Sequence, residues 1–220
     1  MELMARRREL MTDSGLYVRD GLVLWMDGID KGNVSGAWVD KVSGHVFDNL
    51  NGMTVGSNYI GLNSSSSQYL RNSTFDTQVK PDAGTIEVVI DGYSFGNMVF
   101  MPKNTNCICF GFRSSPYRQY ITGGGSPNGV MVTYQTGVKM FSANNDLSVH
   151  DCEKVLPDDA GQWAGPDSTY NYIGRRNSGS GNFYNGKIYA IRIYSRKLTQ
   201  AEMLHNQRID NRRFNLGLTI

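Results

Sequence analysis

Apolar and polar residues alternate in short runs along most of the chain, and Gly, Asn and Ser fill the gaps between the runs. Runs of this length and period predict strands joined by turns. Residues 21–26 form an apolar run closed by Asp27-Gly28, a turn pair. Shorter strands are predicted at 45–47, 59–62 and 68–70, with Asn51-Gly52 as a turn between the early ones. The segment 85–91 alternates most cleanly: Ile86, Val88 and Ile90 face one way, and Glu87, Val89 and Asp91 the other. Further strands follow at 98–101, 107–112, 117–121, 130–135, 138–141, 170–174 and 187–194. In 107–112, Ile108, Phe110 and Phe112 share a face, so they join Ile86, Val88 and Ile90 as predicted core.

Three stretches break this rhythm. Thr199 and Glu202 stand at capping-box spacing, with Leu198 and Met203 at the staple positions, and predict a helix running to about Asn211. Residues 142–168 carry Pro157, Asp158, Asp159, Gly161, Gly165 and Pro166 and predict a long loop, the first place to look for a binding surface. At the start, Leu3, Met4, Leu10 and Met11 lie at roughly helical spacing around Arg6, Arg7 and Arg8. Residues 1–14 are therefore either a short amphipathic arm or a frayed end, ahead of one domain over 15–220.

The order of elements carries a resemblance. Tyr172-Ile173-Gly174-Arg175, then Phe183-Tyr184-Asn185-Gly186-Lys187-Ile188, then 192–202 from Arg192-Ile193-Tyr194 to Leu198-Thr199-Gln200-Ala201-Glu202, resemble the closing signature of laminin-G-like jelly-roll domains. Residues 21–28 with Trp38-Val39-Asp40 are similar to that family's first strands. The resemblance spans about residues 16–212 and places the chain with the laminin-G-like and concanavalin A-like lectin/glucanase superfamily. It implies an all-β fold: a two-sheet antiparallel jelly-roll sandwich with a short C-terminal helix. It says little about function, since this fold hosts lectins, hydrolases and scaffolds. The Arg-rich start also resembles phage or prophage structural proteins of gut bacteria.

Composition narrows the remaining choices. With 220 residues and 40% hydrophobic content, one core is expected and a second is not. A net charge of +2 argues against nucleic acid as a partner, although Arg113, Arg118, Arg175 and Arg176 are candidates for a basic patch. No apolar run reaches membrane-spanning length, and no apolar segment follows the N-terminal arginines to make a secretory signal. Cys107, Cys109 and Cys152 are odd in number and are expected as reduced thiols made in a cytoplasm.

Catalytic motifs are sparse. The run 181–188 approaches a P-loop, but Ile188 replaces the magnesium-binding hydroxyl and β-rich sequence follows, so a hairpin turn is expected. Glu87 and Asp91 share a strand face but lie about 13 Å apart along it, too far for a retaining glycosidase pair, and are expected to be a solvated face. His150-Asp151-Cys152-Glu153 places metal-ligand types together, but at most His150 and Cys152 share a side, so a surface loop is expected. Asp27, Asp40, Asp158 and Asp159 are strand-end or loop acids without an EF-hand spacing, so calcium is supported by no motif and no cofactor is expected.

Aromatic and polar residues gather at the presumed rims: Tyr117, Arg118, Tyr120, Trp163, Tyr170 and Tyr184. Such residues suit sugars, which stack CH faces on rings and donate hydrogen bonds around them, but the same aromatics serve a core equally well. The expected function is a non-enzymatic surface or virion-associated adhesion module that binds a cell-surface glycan or polysaccharide weakly. The N-terminal arm would contact other virion proteins, and a homo-oligomer would supply multiple copies. The alternatives are a glycoside hydrolase or lyase of the same fold, and a structural spacer without ligand.

Overall fold

The computed structural model describes residues 16–76, 79–80, 83–92, 98–104, 107–113, 118–120, 129–131, 137–144, 146–151, 153–155, 168–176 and 183–218. Residues 1–14, on which the arm was predicted, lie outside these, as do most of the glycine-rich run 123–129 and Cys152.

Among the described residues, two antiparallel sheets of eight strands each form a jelly-roll sandwich. The first contains β1 (Leu22–Asp27), β4 (Thr54–Val55), β5 (Ile60–Leu62), β7 (Thr85–Asp91), β12 (Val138–Ala143), β13 (Ser148–His150), β14 (Glu153–Val155) and β16 (Gly186–Tyr194). Its order is β14-β13-β12-β7-β16-β5-β4. One edge of β16 pairs along β7, while its other edge is shared by β1 at 190–194 and β5 at 186–188. The second sheet contains β2 (Ala37–Val39), β3 (Val46–Leu50), β6 (Tyr69–Asn72), β8 (Met98–Met101), β9 (Phe110–Arg113), β10 (Arg118–Tyr120), β11 (Gly129–Met131) and β15 (Asn171–Ile173). Its order is β11-β10-β9-β8-β15-β6-β3-β2. A helix, α1 (Gln200–Phe214), follows β16.

The core lies between the sheets and is built by period-two alternation. Ile86, Val88 and Ile90 from β7 meet Ile108, Phe110 and Phe112, and all six are buried as the alternation predicts. Phe110 stands 5.4 Å from Phe141 and 5.7 Å, edge to face, from Phe112. Cys107 and Cys109 are both buried.

Two expectations are corrected. Residues 142–168 are not loop throughout: β13 and β14 form a hairpin on the edge of the first sheet, turned at Asp151 with φ 46°. These strands are only three residues long, and Val149 reaches the cluster of Tyr194, Leu198 and Met203, so burial rather than a long alternating run fixes them. The face of β7 that carries Glu87 is not solvated either, because α1 lies across it.

The helix starts where the capping box places it and runs three residues beyond the predicted end, to Phe214. Thr199 Oγ1 accepts from the amide of Glu202 at 3.3 Å, and the amide of Thr199 donates to Glu202 Oε2 at 2.8 Å. Arg196 also binds Glu202, so hydrogen bonding from Arg196 and then from Thr199 holds the carboxyl down at about 2. Thr199→Ala is expected to cost about 0.5–2 kcal/mol in chemical denaturation. Because the folded value is depressed, the stabilisation from Glu202 is present above the unfolded carboxyl value and fades as pH falls towards about 2. An unchanged denaturation midpoint in the variant would remove the cap from the account.

Candidate functional site

The outer faces of the two sheets differ. On the first sheet, α1 packs a polar face onto the strands: Asn206, Gln207, Asp210 and Arg213 are all buried. They meet Glu87, Ser142, Arg192 and Asp27. Arg192 Nε donates to Glu87 Oε2 at 2.8 Å, and its Nη1 donates to Asp210 Oδ1 at 2.9 Å. Tyr17 Oη donates to the same Asp210 oxygen at 2.6 Å, and Arg213 Nη2 donates to Asp27 Oδ2 at 2.7 Å. Burial pushes the carboxyl of Glu87 above its usual range, against the pull of Arg192. This is a closed set of pairs with little reach to solvent. Asp91, the other acid of that strand, binds Lys187 at 3.4 Å.

The second sheet presents a different outer face. On β6, Leu70 and Asn72 point inward, which turns Tyr69 and Arg71 outward. On β15 the register pairs Tyr172 with Arg71 on one side and with Met101 on the other, so the three share this face. Tyr170 precedes β15, and Phe183 bridges to Arg175 just after it. The result is one contiguous ladder of rings and guanidinium groups. Arg71 lies 4.6 Å over the ring of Tyr170, and Tyr170 is 6.1 Å from Tyr172. Arg175 lies 5.2 Å over Tyr172, 4.8 Å over Tyr69 and 5.6 Å over Phe183. Tyr172 is buried, and the other five are half-buried, so the ladder is held in place yet reaches solvent. Rings and guanidinium groups together offer flat apolar platforms edged by hydrogen-bond donors.

Of the six predicted rim residues, Tyr170 belongs to this face. Tyr184 does not: its side chain is 0% exposed in the core, and its hydroxyl donates to the carbonyl of Gly92 at 3.0 Å. A buried phenol needs such a partner, and the fold supplies one 92 residues away. Arg118 and Tyr120 lie on β10, next to the edge strand β11 of the same sheet. Tyr117 and Trp163 lie outside the described residues. Tyr69, Arg71, Tyr172 and Phe183 were not predicted as site residues. The available signal was Tyr69 in the predicted strand 68–70 and Arg71 just after it, on either side of Leu70.

Of the other candidate chemistry, Asp158 and Asp159 lie outside the described residues, and Asp40, Asp27 and His150 make structural contacts. Asp40 accepts from the amides of Trp25, Val42 and Ser43, and Asp27 from the amide of Ile29, so both acids tie the chain to itself. His150 packs edge-on to Phe141 at 4.9 Å, and burial lowers its pKa to about 4, against the pull of Asp151. Asp151 binds Lys139 and the amide of Met140. Among the described residues, no three His, Cys, Asp or Glu side chains come together as a metal site, and no helix is long and apolar enough to cross a membrane. Lys187 and Ile188 of the P-loop lookalike lie in β16, where a P-loop would open a helix; β15 before it belongs to the second sheet, so apart from the bridge between Arg175 and Phe183 the two strands do not form the expected hairpin.

No protein-family profile and no curated protein matches the chain. Solved structures do. Trypanosoma rangeli sialidase in complex with sialic acid aligns with a TM-score of 0.57 at 12% identity, over 96% of this chain and 39% of the sialidase. Domain 4 of AbnA, an extracellular arabinanase from Geobacillus stearothermophilus, in complex with arabinotriose, aligns with a TM-score of 0.57 at 10% identity, over 85% of this chain and 98% of that domain. A structure of botulinum neurotoxin type C, whose cell entry depends on interaction with two ganglioside molecules, aligns with a TM-score of 0.60 at 11% identity, over 86% of this chain and 51% of the other. The chain thus spans about two fifths of the sialidase chains it matches. At these identities the likeness is one of fold: a β-sandwich resembling sialidase, lectin and glycosidase structures.

Proposed function

We propose that this chain is a glycan-binding module without turnover, and that the outer face of the second sheet, from Arg71 through Tyr170 and Tyr172 to Arg175, Tyr69 and Phe183, is its binding surface. The observation that carries the reading is the contiguous ring and guanidinium ladder, half-buried and turned away from the core. The structural neighbours support it by what they hold or bind: sialic acid, arabinotriose and gangliosides.

A second reading is a glycoside hydrolase or lyase of the same fold, which the sialidase and arabinanase neighbours favour. Against it stands the position of Glu87, one of the two acids on the strand considered for catalysis. Its carboxylate is enclosed by Arg192, Ser142 and Asn206 beneath α1, where no glycosidic bond can reach it.

The proposed setting is a surface assembly such as a phage virion. Residues 1–14 would act as the arm that joins 15–220 to neighbouring proteins. A shallow site with one or two ring platforms gives millimolar to micromolar binding, about −4 to −8 kcal/mol. Repeated copies would raise such binding to a useful avidity.

The test is a glycan array probed with a multivalent display of the chain, paired with a reducing-end assay on the bound sugars. Binding without release of reducing ends is expected, and Tyr170→Ala should weaken it about tenfold, or ~1.4 kcal/mol, with the melting temperature little changed. Turnover of a bound glycan would move the assignment to the hydrolase. Binding that survives Tyr170→Ala intact would remove this face from it.

A further inference from the structure

Arg71 and Arg175 differ from the other well-placed arginines of the sandwich. Arg192, Arg196 and Arg213 each lie against a carboxylate. Arg71 and Arg175 make ring contacts and, among the described residues, no ion pair. Asp48 stands opposite Arg71 across the β3–β6 pair and is exposed, yet the two do not pair. Arg175 Nε is buried and has no hydrogen-bond partner among the described residues, so what exposure this side chain has lies on its other atoms. Leaving a buried donor unsatisfied is unfavourable, and such groups in folded proteins call for a reason.

A guanidinium over a ring face is attracted by the ring quadrupole, and its planar fork of N–H groups matches the two oxygens of an oxyanion side by side. Two such groups flank the Tyr170–Tyr172 ring pair, with the ring of Tyr69 beyond. We infer that the face takes an anionic sugar residue, a carboxylated or sulfated one, whose oxyanion is held by the edges of Arg71 and Arg175 while its ring lies on the tyrosines. Asp48, on the β3 side of Arg71, repels the anion there and confines it to the side of Tyr172. The inference rests on the glycan-binding reading above and adds the charge of the ligand to it.

The experiment compares matched ligands against the multivalent chain: 3′-sialyllactose, 3′-sulfolactose and lactose, and oligogalacturonate beside its neutral methyl ester. At low salt, at least one charged member should bind about tenfold more tightly than its neutral match. The preference should shrink as salt is raised to about 0.5 M, because partly exposed charges are screened. The sialylated and sulfated arms separate a carboxylate from a sulfate preference, and either supports the inference. The paired variant Arg71→Gln with Arg175→Gln should weaken charged ligands about tenfold more than their neutral matches, so that the two then bind alike. Equal binding of charged and neutral ligands, lost on Tyr170→Ala, would overturn the anionic inference and leave the glycan reading standing. A charge preference that survives the paired variant would overturn it too. Absence of binding to every ligand would overturn both.

Discussion

Arg192→Met is expected to lower stability by about 3–5 kcal/mol, because it breaks a buried ion cluster by removing one partner. Arg192 is the cation shared by Glu87 and Asp210, and all three are essentially without solvent contact. Methionine keeps much of the volume but leaves two carboxylates facing one another in the dry layer between α1 and the first sheet. Burial already raises the carboxyl of Glu87, with Arg192 lowering it and Asp210 adding to the rise, so losing Arg192 raises Glu87 further. A carboxyl whose folded pKa lies above its unfolded value loses stability as pH rises through that window. The variant should therefore be less handicapped near pH 5 than near pH 8, and denaturation midpoints at the two values measure this. Replacing Glu87 and Asp210 by apolar residues as well should recover most of the loss, since a buried cluster can be exchanged for packed side chains of like volume at little net cost. If Arg192→Met costs under about 1 kcal/mol at neutral pH, the cluster is wetter than its burial implies.

The same layer explains where sequence reasoning stopped. The inward row of β7 was legible because alternation directly reports which side of a strand is apolar. Its outward row was read as solvated because Glu87 is charged, and charged residues are seldom fully buried unless paired. The pairing is supplied by α1, whose buried face is itself polar: Asn206, Gln207, Asp210 and Arg213. Two polar faces that satisfy each other look like two solvated faces in a one-dimensional pattern. The core position of Tyr184 is hidden for a related reason, since the nearer partner of its hydroxyl, the carbonyl of Gly92 at 3.0 Å, lies 92 residues away in sequence.

The candidate site shows the complementary limit. Tyr69 and Arg71 on β6 meet Tyr172 and Arg175 about a hundred residues later only because the sheet order places β15 between β6 and β8. Strand order and register are set by the whole sandwich, and one chain's hydropathy pattern leaves them open. Tyr170 was within reach of composition, as an aromatic residue at a strand end. The capping box was fully legible, because every atom of it lies within four residues.

Gly186→Ala is expected to cost about 2–5 kcal/mol, combining backbone strain with overpacking. Asn185-Gly186-Lys187 gives the chain its P-loop appearance, but the glycine has a structural requirement of its own. Its φ is 151°, a conformation that side chains rarely adopt. A Cβ there would stand 2.4 Å from the carbonyl oxygen of Asp91 and 2.9 Å from the Cα of Gly92. Both are backbone atoms where β7 ends against the start of β16, so neither can rotate aside as a side chain would. Gly92 is bound by the same approach, since its own Cβ would meet the carbonyl oxygen of Asn185 at 2.6 Å. The pair lets β7 and β16 close at the bottom of their ladder, next to the hydroxyl of Tyr184. Gly44→Ala is the control: its φ is 75°, but a Cβ there would have nothing within 4 Å, so it measures conformational strain without collision. Chemical denaturation of both variants separates the two contributions. If Gly186→Ala loses no more than Gly44→Ala, the strands have room to part and the close approach is not what fixes glycine at this position.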